Sequence, residues 1–235
     1  DADAMVLLVK VPNPQRFGVA KFDEKGKLIG LTEKPKVPPS NYALVGVYFF
    51  RPPHIFRVIE GLRPSWRGEL EITDAIQGLI DHGFKVEYDL VSGWWKDTGT
   101  PEDILEANRI LLDHKYRRKA IKGTVEDEAT VEGRVYVDEG AIVEKGAVVR
   151  GPVYIGRGTV VSGDTYVGPY TSIGFDCVLR GVEIENSVVM DNVVLENIGV
   201  RIEGSIIGSG TRVGRRAGRP RAMRLTVGET IPILT

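Results

Sequence analysis

Ten positions six residues apart, Val125, Val131, Val137, Val143, Val149, Ile155, Val161, Val167, Ile173 and Leu179, all carry branched aliphatic side chains. A helix repeats every 3.6 residues and a half-buried strand every two, so neither produces this run. A six-residue period with an aliphatic at one fixed phase predicts a parallel β-helix in which each repeat forms one side of a coil. Glycines follow the aliphatic position at Gly156, Gly168 and Gly174, or fall at expected corners at Gly140, Gly146 and Gly158, where unusual backbone angles are needed. Near 183–187 the phase slips by three, and the spacing is expected to pass to Val182, Val188, Val194, Val200 and Ile206. Each coil buries its aliphatics only against its neighbours, so several are needed for stability. Residues 215–224 are basic and irregular, and 225–234 read as a terminal strand that closes the last coil.

Ahead of the hexads the pattern alternates between strand and helix. Residues 5–11 form an apolar strand, and 17–22 with Leu28–Glu33 flank the turn signal Asp23-Glu24-Lys25-Gly26 as a hairpin. Tyr42–Phe50 is a nearly continuous apolar run, as in a strand covered on both faces. Ile72, Ala75, Ile76, Leu79 and Ile80 fall on one helical face; Gly83 ends that helix and 84–90 read as another strand. A second helix opens at the cap Thr100-Pro101-Glu102-Asp103 and carries Ile104, Leu105, Asn108, Leu111 and Leu112 on one face. It ends in the basic cluster 115–119, whose cations suit a helix C-terminus. These alternations predict an α/β layer arrangement. The boundary is expected in 119–123, giving domains over 1–118 and 119–235.

Composition narrows the field. With 31 basic and 32 acidic residues, no bulk charge argues for nucleic acid or a membrane as partner. The cluster 115–119 has no aromatic but Tyr116 and reads as a solvated helix end rather than a nucleic-acid patch. The single Cys177 excludes an internal disulfide, fits a reducing compartment, and reads as a small hydrophobe packed inside the repeat. No run approaches the ~20 apolar residues of a membrane helix, so a soluble, cytoplasmic protein is expected. Hexad repeats occur in acyltransferases that use a histidine in or near the coils as general base. Here His54, His82 and His114 all precede the first hexad, and that reading recedes to an alternative.

The dense motifs lie between Gly18 and Ala107. In order they are Phe17-Gly18-Val19, Glu33-Lys34-Pro35, Asn41-Tyr42-Ala43-Leu44-Val45-Gly46-Val47-Tyr48, Arg67-Gly68-Glu69-Leu70-Glu71-Ile72-Thr73-Asp74 and Trp95-Lys96-Asp97-Thr98-Gly99-Thr100. Taken singly, each has a bland explanation: a solvated strand end at Glu33-Lys34, a helix start at Asp97, core packing for Trp94-Trp95. In this order and spacing they resemble the sugar-phosphate half of the sugar-1-phosphate nucleotidyltransferases. The match is best to long-form glucose-1-phosphate thymidylyltransferases, which carry a C-terminal left-handed β-helix. Arg-Gly-Glu-Leu-Glu-Ile-Thr-Asp and Asp-Thr-Gly-Thr are the specific parts, and the latter tilts the choice toward the thymidylyl branch.

The resemblance implies a fold and a chemistry. The fold is a partial Rossmann-like α/β nucleotidyltransferase domain followed by an all-β parallel left-handed β-helix of hexapeptide repeats. Glu33 would accept hydrogen bonds from sugar hydroxyls, and Lys34 would place its charge on the sugar phosphate, the nucleophile. Arg67 would make a second phosphate contact. Gly18 would let substrate approach the backbone, with Leu44, Gly46 and Trp95 also lining the sugar site. Asp97 would be one of two aspartates holding Mg²⁺. The substrates implied are glucose-1-phosphate, or a related sugar phosphate, and dTTP or another nucleoside triphosphate, with pyrophosphate released. A homo-oligomer assembled through the β-helix is expected as well.

The family pattern also contains a strand followed by a Gly-rich segment ending in Thr-Arg, and a Gly-Asp segment with the first metal aspartate. Neither occurs in 1–235, so the chain is expected to lack the nucleotide-binding half and not to turn over alone. A non-catalytic regulatory or assembly subunit remains the other alternative.

Overall fold

The structure, a computed structural model, describes residues 2–215 and 223–226. The chain falls into two compact units, Asp1–Trp95 and Lys96–Thr235.

The first unit is built on a five-stranded sheet. Its strands are β1 (Ala4–Lys10), β2 (Gly18–Phe22), β3 (Leu28–Glu33), β4 (Tyr42–Phe50) and β5 (Val86–Leu90), in the order β3-β2-β4-β1-β5. The pair β1–β5 is parallel and the other pairs are antiparallel. Helices α1 (His54–Glu60) and α2 (Ile72–Asp81) complete the unit. Alternation sets the core: Val6 and Leu8 of β1, Ala20 of β2 and Leu31 of β3 are buried with Ile76 and Leu79 of α2. Leu31 N also donates to Gln77 Oε1 at 2.8 Å, tying β3 to α2. The short helix α1 has too few turns to advertise itself by period. It packs through Val58 where Gly78 leaves room; a Cβ at Gly78 would stand 2.6 Å from Val58 Cγ1. The hairpin and α2 match expectation. The strand β4 does not meet its expected burial on both faces, because coverage stops after 43–45 and Phe49 is 61% exposed.

The second unit opens with α3 (Pro101–His114), capped as its sequence implies: Thr100 Oγ1 accepts from Asp103 N at 3.2 Å. By compactness this helix belongs with the second unit, which begins at Lys96. The helix is fastened to the strands that follow, since Asn108 Nδ2 donates to Tyr170 O at 2.9 Å and Arg109 Nε to Asn186 Oδ1 at 2.8 Å. Ser172 donates to Asn108 Oδ1, and Arg134 pairs with Asp113.

Beyond α3 the chain forms a parallel β-solenoid of about five turns, consistent with a left-handed β-helix. Equivalent aliphatics stack from coil to coil. One column runs Val125, Val143, Val161, Leu179, Leu195, Val213, and another Val137, Ile155, Ile173, Val189, Ile207. From Val137 to Leu179 every hexad aliphatic is fully buried. Coils stack so closely that a Cβ at Gly156 would meet Gly174 O at 2.5 Å.

After Leu179 the inward positions differ from expectation. They are Ile184, Val189, Leu195, Ile202, Ile207 and Val213, because the first two sides shorten to five residues and a later pair runs seven and five. Val182 is buried but lies outside the columns, while Val200 is 67% exposed. The doublets Val188-Val189, Val194-Leu195 and Ile206-Ile207 let a six-residue spacing fit two phases, and only the second member of each enters a column. Cys177 is buried as a small hydrophobe, and burial pushes its thiol pKa up. The strand Met223–Thr226 pairs antiparallel with Arg212–Arg215 at one sheet edge. The rest of the expected terminal strand, 227–234, lies outside the described residues. Among the described residues no helix is long and apolar enough to cross a membrane.

Candidate functional site

In the first unit, the hairpin register sets Gly18, the first residue of β2, opposite Glu33, the last residue of β3. The start of α2 approaches the same point, and Thr73 Oγ1 donates to Glu33 Oε2 at 3.1 Å. Gly18 is a place where nothing larger fits. A Cβ there would stand 2.4 Å from Thr73 Cγ2 and 3.0 Å from Glu33 Oε2, with Leu44 Cβ of β4 next at 3.6 Å. Gly18, Glu33 and Leu44 are thus gathered around one carboxylate, 18% exposed, that accepts from a buried hydroxyl.

Arg67 lies beside them, but three acids share it. Its guanidinium is 3.7 Å from Glu33 Oε1, 3.1 Å from Glu71 Oε1 and 2.8 Å from Glu69 Oε2. Ser65 Oγ donates to the same Glu71 oxygen at 2.9 Å. Lys34 is different. It is exposed, its backbone takes a left-handed φ of 40°, and its amide donates to Phe17 O at 2.9 Å. Among the described residues no acid pairs with its side chain. Trp95 meets Phe17, the neighbour of Gly18, edge to face with centroids 5.6 Å apart. Gly46 faces open space, with nothing within 4 Å of where a Cβ would be.

Four partners of this site were not singled out from sequence: Thr73, Glu71, Ser65 and Tyr48. Thr73 and Glu71 lie within the segment 67–74, and Arg67 and Glu71 at i, i+4 carry a readable signal. Tyr48 likewise closes the segment 41–48, and Ser65 alone carries none. The Tyr48 phenol is held above its ordinary pKa by burial first and by the Glu33 charge second, so it stays a neutral donor. Asp74 is raised as well, by burial and then by Glu71.

Asp97 belongs to the second unit. The cation beside it is committed elsewhere, with Lys96 Nζ 2.8 Å from Asp103 and 2.6 Å from Glu106. Among the described residues no three His, Cys, Asp or Glu side chains converge as metal ligands. Mg²⁺ is often held by one or two carboxylates together with substrate phosphates and water.

The nucleotidyl transferase family matches residues 1–114, and the GMPPB C-terminal domain family matches residues 149–219. The chain is 51% identical over 230 residues to the low-salt glycan biosynthesis nucleotidyltransferase Agl11 of Haloferax volcanii, covering 97% of this chain and 63% of that protein. It is 45% identical over 226 residues to a glucose-1-phosphate thymidylyltransferase of Streptomyces antibioticus, covering 96% and 62%. The bifunctional protein GlmU of Methanocaldococcus jannaschii is 40% identical over 210 residues, 89% of this chain and half of that one. The chain thus spans less than two thirds of the length of these relatives.

Proposed function

The chain belongs to the nucleotidyl transferase family, and on that premise we propose that its first unit holds the sugar phosphate during sugar-1-phosphate nucleotidyl transfer. One observation carries the reading: Glu33, fixed by the Thr73 hydroxyl above a glycine that leaves the approach open. An ionised carboxylate only accepts hydrogen bonds, and it can take two adjacent hydroxyls at once, the pattern a sugar offers. The name of the Streptomyces relative supports glucose-1-phosphate as that sugar phosphate and dTTP as the donor.

The charges divide the work. Arg67 faces three carboxylates within 4 Å and has little positive field left for a phosphate. Its role is to position Glu33 and Glu71. Lys34, exposed and without an acidic partner among the described residues, is the cation for the sugar phosphate. A phosphate oxygen of the sugar substrate attacks the α-phosphorus of the triphosphate, and the bond to the departing pyrophosphate breaks. The protein contributes by holding the nucleophile in line. Asp97 would hold Mg²⁺, which when bound neutralises charge on the phosphates.

Calorimetric titration with glucose-1-phosphate tests the reading. Glu33→Gln and Lys34→Ala should each weaken binding tenfold or more, about 1.4 kcal/mol. Affinity unchanged in both variants refutes it.

A further inference from the structure

The segment after α3 holds an unusual concentration of cations, Lys115, Arg117, Arg118 and Lys119. The helix itself ends at His114, and the influence of its dipole fades within the last turn. Arg117 and Arg118 stand beyond that turn on irregular backbone, exposed, with no ion pair or hydrogen bond among the described residues.

They border a cavity of about 550 Å³ within the second unit, lined by Lys115, Tyr116, Arg117, Arg118, Tyr136 and Tyr154 with Ala120 and Asp138. Within its own segment the basic cluster has only Tyr116 as an aromatic companion, because the others arrive from the solenoid. Tyr136 and Tyr154 are register partners in successive coils, their rings stacked 5.5 Å apart at 18°. Tyr116 closes the group, 5.1 Å from each ring. Lys122 Nζ lies 5.3 Å over the Tyr136 ring. The one acid, Asp138, accepts from Tyr154 OH at 3.3 Å.

We propose that this cavity binds a nucleoside phosphate, its phosphate on Arg117 and Arg118 and its base against the tyrosine rings. The volume falls in the range of small-molecule sites. Unpaired arginines at the rim favour an anion. Three aromatic rings favour a flat partner, since every base has a face to stack. A sugar phosphate fits less well, because sugar hydroxyls need acceptors and the only lining carboxylate is already engaged by a phenol. The site is independent of the Glu33 cluster, and its test separates the two.

The chain is titrated calorimetrically with thymidine 5′-monophosphate, adenosine 5′-monophosphate and inorganic phosphate. Both nucleotides are expected to bind, and inorganic phosphate at least tenfold more weakly. In R117Q/R118Q the nucleotide Kd should rise tenfold or more with the melting temperature unchanged, since both side chains are exposed. Lys34→Ala should leave the nucleotide Kd as it was. Three results overturn the proposal: no nucleotide heat in the unaltered chain, equal affinity for inorganic phosphate, or nucleotide binding that survives R117Q/R118Q and disappears in Lys34→Ala.

Discussion

Replacing Gly18 by alanine probes the candidate sugar site with a single added methyl group. The new Cβ would sit 2.4 Å from Thr73 Cγ2, more than about 1 Å inside the ordinary 3.5–4.0 Å carbon contact. Glu33 can swing aside, because its carboxylate is partly exposed. Thr73 is 1% exposed and has nowhere to go. Overpacking of this kind costs about 1–3 kcal/mol. The displaced Thr73 hydroxyl also loses its bond to Glu33, adding about 1 kcal/mol once partial exposure of the carboxylate is allowed for. Gly18→Ala should therefore lose about 2–4 kcal/mol. Thr73→Ser removes the offending methyl and keeps the hydroxyl, at a cost of about 0.5–1.5 kcal/mol alone. The double variant should be more stable than Gly18→Ala by at least about 1 kcal/mol, a clear departure from additivity. Trp66, Trp94 and Trp95 are the only tryptophans and all lie in the first unit. Tryptophan fluorescence during guanidinium unfolding therefore reports this unit alone, with the midpoint compared at constant slope. Additive losses in the double variant, or a Gly18→Ala midpoint equal to that of the unaltered chain, refute the packing argument.

Arg67→Met leaves Glu33, Glu69 and Glu71 facing one another; a loss of about 1–3 kcal/mol is expected in the same assay, discounted for partial exposure, and an unmoved midpoint contradicts it. In the solenoid, Leu179→Ala should cost about 2–5 kcal/mol, since Leu179 is fully buried between Val161 and Leu195. Val189→Ala should lower the circular-dichroism melting temperature clearly more than Val188→Ala, and the reverse order would restore the expected phase. Burial, then the Asp138 charge, pushes the Tyr154 phenol up from 10 to about 12. An unfolded chain gives up that proton near its ordinary value, so the group's contribution to stability falls as pH climbs from 10 to about 12. Tyr154→Phe should remove both that decline and the latest component of the phenolate absorbance titration, and an unchanged titration excludes the assignment.

Periodicity made the solenoid legible because its cause is local: one aliphatic per side, repeated while the sides stay six residues long. Where sides of five and seven residues interrupt the sixes after Leu179, the same rule misplaced the inward residues, since aliphatic doublets satisfy either phase. Helix α3 was legible as a helix from its Thr100 cap but not as part of the second unit. Its attachment rests on Asn108 reaching Tyr170 and Arg109 reaching Asn186, polar contacts with no periodic trace. The site divides along the same line. Glu33, Lys34 and Gly18 group together by motif because they are close in sequence or in register. The hydroxyl that fixes Glu33 comes from Thr73, which α2 carries in from 40 residues away. Arg67 depends on its surroundings as well. A motif marks it as a phosphate ligand, and only the geometry shows Glu33, Glu69 and Glu71 already competing for its charge. A cation's availability depends on what surrounds it in space, and that is why the proposed reading gives the incoming phosphate to Lys34, which no such acid approaches among the described residues.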